Sequence, residues 1–146
     1  MATVTARLGK GVRVVITNGR HEWMVDEPID LGGDDLGPTP YEMLAGSLAA
    51  CTAVTLRLYA AHKGIALESV TAEYSFDRVH TIDCRECDSA DSGMIERMRA
   101  RITIGGTFTE AERKRLTEIA ARCPVHKTLT HGMRIFDEVA FEGDGG

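Results

Sequence analysis

The sequence predicts an α+β fold, with strands and helices in one domain over residues 1–146 and no strict alternation between them. Three observations carry that prediction. Two β-branched runs separated by glycines open the chain. A long apolar segment follows with a complete helix-start signature. Directly after it the hydrophobic period changes from helical to two.

Residues 2–7 and 12–17 flank Gly9 and Gly11 and read as a hairpin. Asn18-Gly19 is a strong turn signal because both residues tolerate positive φ, so residues 22–26 are expected as a third strand. Residues 28–38, rich in Gly, Asp and Pro, read as a loop. Thr39 is a suitable N-cap, Pro40 suits the first helical position, and Glu42 completes a capping box. Helical composition then runs to Lys63, and Gly64 is the stop. Leu44, Leu48, Cys51, Thr55 and Leu58 share a stripe, and the opposite side is also small or apolar. Such a helix is expected to be buried on most sides, for example against a second subunit.

Val70, Ala72, Tyr74 and Phe76 alternate with polar residues, as do Met98, Ala100, Ile102 and Ile104. Both runs are expected to be half-buried strands, joined by a polar loop over residues 81–93. Thr109 and Glu112 form a second capping box, and Leu116, Ile119 and Ala120 mark the apolar face of its helix. Pro124 breaks or restarts that helix and leaves Cys123 at the junction. Residues 133–141 are expected as a last strand.

Composition narrows the function classes. The chain has 146 residues, 43% hydrophobic and 27% charged, with a net charge of -5. An acidic chain is a poor match for gripping nucleic acid or an anionic membrane, so neither is expected as a partner. Residues 1–10 carry no apolar leader, and the uncharged apolar run over 43–56 is short of the roughly 20 residues a membrane helix needs. The expected location is cytoplasmic. There, the four cysteines read as catalytic, metal-binding or buried thiols before structural disulfides.

Cys51, mid-helix on an apolar stripe, is by itself a small buried hydrophobe. Cys123, before Pro124 at a helix start, sits where backbone N–H groups favour a thiolate, with Arg122, His126 and Lys127 adding positive charge. Cys84 and Cys87 form a Cys-x-x-Cys with His80 four residues upstream. That set reads as half a zinc site, a redox dithiol, or two incidental thiols in a solvated loop, and the last is favoured, so no metal is expected.

Two segments resemble the OsmC/Ohr family of thiol-dependent peroxidases. One is Gly37-Pro38-Thr39-Pro40-Tyr41-Glu42 followed by Leu48-Ala49-Ala50-Cys51-Thr52, and the other is Cys123-Pro124-Val125-His126-Lys127-Thr128-Leu129. The resemblance covers residues 3–141. It implies an antiparallel sheet, a long buried central helix and an intertwined homodimer with sites at the subunit interface. It implies a peroxidatic Cys51 whose sulfenic acid is resolved by Cys123, and an organic hydroperoxide substrate. It implies no cofactor, with an external dithiol of lipoyl or thioredoxin type as reductant. The alternative is a non-enzymatic member of the same fold that binds a small hydrophobic ligand or senses redox state.

The chain departs from the family where Arg and Glu activate the thiolate. Tyr41 takes the place of that Glu, and Glu42 follows it. On a straight helix Glu42 lies about 13 Å along the axis from Cys51, on the opposite side. A role at the thiol requires a kink near Gly46-Ser47, whereas the capping box explains Glu42 without one. Lys10 falls near the place of the activating Arg, between Arg7 and Arg13, and Arg13 or Arg20 is the alternative source of a guanidinium. Each of these also reads as a solvated hairpin residue.

Overall fold

The computed structural model describes residues 1–80 and 94–143. The first sheet is antiparallel, in the order β1 (Thr5–Leu8), β2 (Val14–Thr17), β3 (Glu22–Val25). The expected hairpin and third strand are there, with the first two strands starting two or three residues late. At the β2–β3 turn the Asn18 side-chain oxygen accepts from the Arg20 and His21 N–H groups, at 3.0 and 2.8 Å. Gly19 takes φ 88°, the conformation that made Asn-Gly a turn signal.

The connection over residues 26–38 winds around one buried carboxylate. Asp26 accepts from the N–H groups of Glu27 (2.8 Å), Asp34 (3.2 Å) and Leu36 (3.2 Å). A 3-10 turn at Ile29–Leu31 interrupts the expected loop. Gly33 allows the close return, because a Cβ there would lie 1.8 Å from the Glu27 carbonyl oxygen. The loop delivers Thr39 to the start of α1 (Pro40–Lys63).

The capping box forms as its spacing predicts: Thr39 Oγ1 accepts from Glu42 N–H, and Glu42 Oε2 accepts from Thr39 N–H at 2.7 Å. Such a cap contributes about 1 kcal/mol. Gly64, at φ 67°, ends the helix. The buried stripe is Leu48, Thr52, Leu56 and Ala60, one residue round from the expected one. This stripe faces the sheet that follows. Within the chain α1 is not buried on most sides: Val54 is 55% and Leu58 65% exposed. By length and composition alone α1 is also long and apolar enough to cross a membrane. It packs against a sheet and two helices as a core helix does.

Strands β4 (Leu67–His80) and β5 (Met94–Gly106) form a second antiparallel sheet, longer than the sequence pattern suggested. Val70, Ala72, Tyr74 and Phe76 pair with Ile104, Ile102, Ala100 and Met98, so one face is apolar throughout. The other face carries charge, including a two-point Arg97–Asp77 ion pair at 2.9 and 2.7 Å. Helix α2 (Glu110–Ala120) begins with the second capping box, and Leu116 and Ile119 join Leu56, Ala60 and Leu67 in the core. Burying one such Leu contributes about 1.5–3 kcal/mol. Pro124 then opens α3 (Pro124–His131), so the break restarts a helix.

Residues 133–141 are not the expected strand. They have no regular structure, and Met133, Ile135, Phe136, Val139 and Phe141 are exposed, Phe136 at 88%. A strand needs a neighbour for its backbone groups, and this segment pairs with neither sheet of the described chain. The expected loop over residues 81–93, with Cys84 and Cys87, lies outside the described residues.

Candidate active site

Cys51 and Cys123 are brought together by the packing of α1 against α3. Both are free thiols, Cys51 half-buried and Cys123 fully buried. Pro124 at the first helical position makes Cys123 the N-cap of α3. The His126 N–H donates to the Cys123 sulfur at 3.4 Å.

The two thiols are neighbours, and their environments separate their acidities. Burial alone pushes Cys123 up. The Cys51 thiol, the His126 N–H, the Thr52 hydroxyl and the Val125 N–H outweigh it and hold Cys123 below the ordinary thiol value. Burial pushes Cys51 up, and the Cys123 sulfur beside it, as hydrogen-bond acceptor and as charge, pushes it further. The Val125 N–H and the Thr55 hydroxyl oppose the rise only in part. Of the two, Cys123 is therefore the readier to ionise.

An apolar cleft of about 680 Å³ opens between α1, the apolar face of β4 and β5, and the helices α2 and α3. Leu44, Leu48, Phe76, Met98 and Leu129 supply apolar lining. Tyr41 stacks on Phe76 with ring centroids 4.5 Å apart and donates its hydroxyl to Glu96 at 3.2 Å. It is one of the residues lining the cleft. Neither cysteine is among the lining residues. The thiol pair meets the cleft through its neighbours: His126 lines it, and Tyr74, which also lines it, hydrogen-bonds to Thr52 at 2.9 Å.

The remaining candidates lie elsewhere. Glu42 is engaged by the capping box, nine residues before Cys51 and about 13 Å away along the helix axis. Lys10 is exposed in the bend between β1 and β2. Arg13 is exposed near Asp26. The Asp26 carboxyl is held below the usual range first by the Glu27 N–H, then by those of Leu36 and Asp34 and by the Arg13 charge. His80 ends β4. Among the described residues no group of His, Cys, Asp or Glu could hold a metal ion.

Thr52, Thr55 and Tyr74 are site residues that the sequence reading missed. A signal for Thr52 existed, since a hydroxyl on the buried stripe of an apolar helix needs a partner. Finding that stripe required the helix phase, which the sequence left one residue out.

The OsmC family model, described as OsmC-like protein, matches residues 32–136. No curated protein matches the chain. Among solved structures the chain resembles an organic hydroperoxide resistance protein, OsmC, from Legionella pneumophila, with 22% identity over 88% of each chain and a TM-score of 0.62. It also resembles an OsmC-like protein from Mycoplasma pneumoniae, with 21% identity over 89% of this chain and 87% of that one and a TM-score of 0.61. The organic hydroperoxide resistance protein OhrB of Bacillus subtilis gives 20% identity, 88% and 89% coverage and a TM-score of 0.58. At these identities the likeness establishes the mixed helix and antiparallel-sheet fold.

Proposed function

The chain belongs to the OsmC-like protein family, and on that premise we propose that it is a thiol-dependent peroxidase reducing organic hydroperoxides. The observation that carries this reading is the pair of neighbouring free thiols, Cys51 half-buried beside an apolar cleft and Cys123 buried at the start of α3.

The chemistry follows from that pair. Cys123 takes the Cys51 proton as the Cys51 sulfur attacks the outer peroxide oxygen. The O–O bond breaks, the alkoxide leaves as an alcohol after taking a proton, and Cys51 becomes a sulfenic acid. The Cys123 sulfur then attacks the Cys51 sulfur. The S–O bond breaks, hydroxide leaves as water with a further proton, and a disulfide forms. An external dithiol of lipoyl or thioredoxin type, as in a reducing cytoplasm, reopens it. No metal or organic cofactor enters. The cleft favours substrates with an apolar body.

The reading includes a homodimer. The exposed side of α1, the unpaired edges of both sheets and the apolar segment 133–141 are each left uncovered by one chain. A second chain would cover it, and Lys10 or Arg13 of one chain would then approach the thiols of the other.

A second reading is favoured by the burial of Cys51, which makes its thiol a weaker acid than an ordinary cysteine. It makes the chain a ligand-binding or redox-sensing member of the fold, with slow thiol chemistry. Steady-state turnover of cumene hydroperoxide with dihydrolipoamide or dithiothreitol separates the two. The peroxidase reading expects catalytic turnover that Cys51→Ser abolishes. Stoichiometric oxidation without turnover supports the sensor.

A further inference from the structure

Several polar side chains that line the cleft are engaged away from it. Tyr41 donates to Glu96, and Asp77 holds Arg97 in the two-point ion pair. Thr117 and Thr130 return their hydroxyls to the carbonyls four residues back, as helical threonines commonly do. Tyr74 is placed differently. Its hydroxyl lies 2.9 Å from that of Thr52, a side chain 0% exposed on the inner stripe of α1. Leu48, one turn earlier on that stripe, lines the cleft, so the hydroxyl pair sits where α1 meets the sheet at the cleft wall. Across the strands Tyr74 pairs with Ala100, whereas the pairs on either side are Phe76 with Met98 and Ala72 with Ile102. The small Ala100, itself a lining residue, leaves space over the sheet beside the Tyr74 ring. Two hydroxyls carry two protons, and the bond between them uses one. In one direction of that bond Tyr74 keeps a proton to give, and in the other it keeps lone pairs to accept.

We propose that the Tyr74 hydroxyl, held by Thr52, is the polar anchor of the cleft: it hydrogen-bonds the oxygen of a neutral apolar molecule that carries an O–H group, a hydroperoxide or the alcohol left after its reduction. The proposal rests on the reading of the cleft as the substrate site. A ligand O–H accepts from Tyr74 when Thr52 donates to the phenol oxygen, and it donates to Tyr74 when that bond is reversed. An all-apolar wall would strip the O–H group of water and return nothing. A site with a hydroxyl of its own discriminates against the same molecule lacking the O–H. Thr52 is not among the lining residues, so it is a positioning residue that fixes where the Tyr74 hydroxyl lies.

The test uses the full reduced chain and no peroxide, with cumyl alcohol and cumene as probes that differ by one hydroxyl. Binding is followed through the amide NMR shifts of β4 and β5. The alcohol is expected to move the amides around Tyr74 and Ala100. Tyr74→Phe is expected to weaken cumyl alcohol about three- to tenfold and to leave cumene within about twofold. Thr52→Val weakens the alcohol by a smaller factor, and Thr52→Ser, which keeps the hydroxyl, restores it. A merely structural role for either residue moves both probes together. If Tyr74→Phe does not fold with the Thr52 hydroxyl left unpaired, the double variant Thr52→Val with Tyr74→Phe, which removes both hydroxyls, takes its place. A wild-type chain that binds neither probe, unchanged alcohol binding without the Tyr74 hydroxyl, or equal weakening of both probes overturns the proposal. A chain that binds as expected but does not turn over peroxide counts against the peroxidase reading alone.

Discussion

Cys51 on α1 and Cys123 at the start of α3 are neighbouring thiols whose acidities are held apart, Cys51 pushed up and Cys123 down. Two thiols coupled in this way release their protons in separate steps. In a Cys84→Ser, Cys87→Ser background, thiolate absorbance against pH is expected to show one step below the ordinary cysteine value and one above it. In Cys123→Ser the charge that raises Cys51 is gone, so its midpoint falls toward the ordinary value while burial still holds it up. In Cys51→Ala the Cys123 midpoint rises, because a donor is lost. A single step at the ordinary value contradicts the coupling.

The cleft is lined by the Tyr41 ring stacked on Phe76. Tyr41→Ala removes that ring from the lining without touching either thiol. The ratio of kcat/KM for bulky over small hydroperoxides is expected to rise by roughly tenfold, within the range that a pocket contact supplies. An unchanged ratio places substrate binding elsewhere.

Two changes probe the scaffold. Gly33→Ala drives a Cβ into the Glu27 carbonyl, a backbone atom that cannot move aside alone, and is expected to cost about 1–3 kcal/mol. Leu56→Ala empties a fully buried position and is expected to cost about 2–5 kcal/mol. Urea denaturation measures both. Neither change is expected to move the thiol midpoints in the protein that remains folded.

The apolar segment 133–141 gives the dimer a specific test. Ile135→Asp with Phe136→Asp puts two charges on residues that are exposed within one chain. A chain that works alone tolerates them. A chain whose C-terminal segment is covered by a second copy shifts toward monomer in sedimentation.

The fold was legible where signals were local. Thr39 with Glu42, Thr109 with Glu112, Gly64 and Pro124 each mark a helix end through a nearby backbone bond, and each lies where its spacing predicts. The long pair β4 and β5 was legible at its centre through the alternation of Tyr74, Phe76, Met98 and Ala100. What failed depended on partners distant in sequence. The strand expected over 133–141 pairs with neither sheet of the described chain. The phase of α1 is set by the sheet it lies on, so Thr52 escaped notice although Cys51 beside it did not. Of the site, the two cysteines were readable as motif residues, but which of them is the readier to ionise depends on the turn of α3, whose His126 N–H donates to Cys123.

The measurement that bears most directly on the account is intact mass with peptide mapping after a single equivalent of cumene hydroperoxide, beside a hydrogen peroxide control. The account predicts rapid formation of a Cys51–Cys123 disulfide, faster with the organic peroxide. Thiols that stay reduced under both peroxides contradict it.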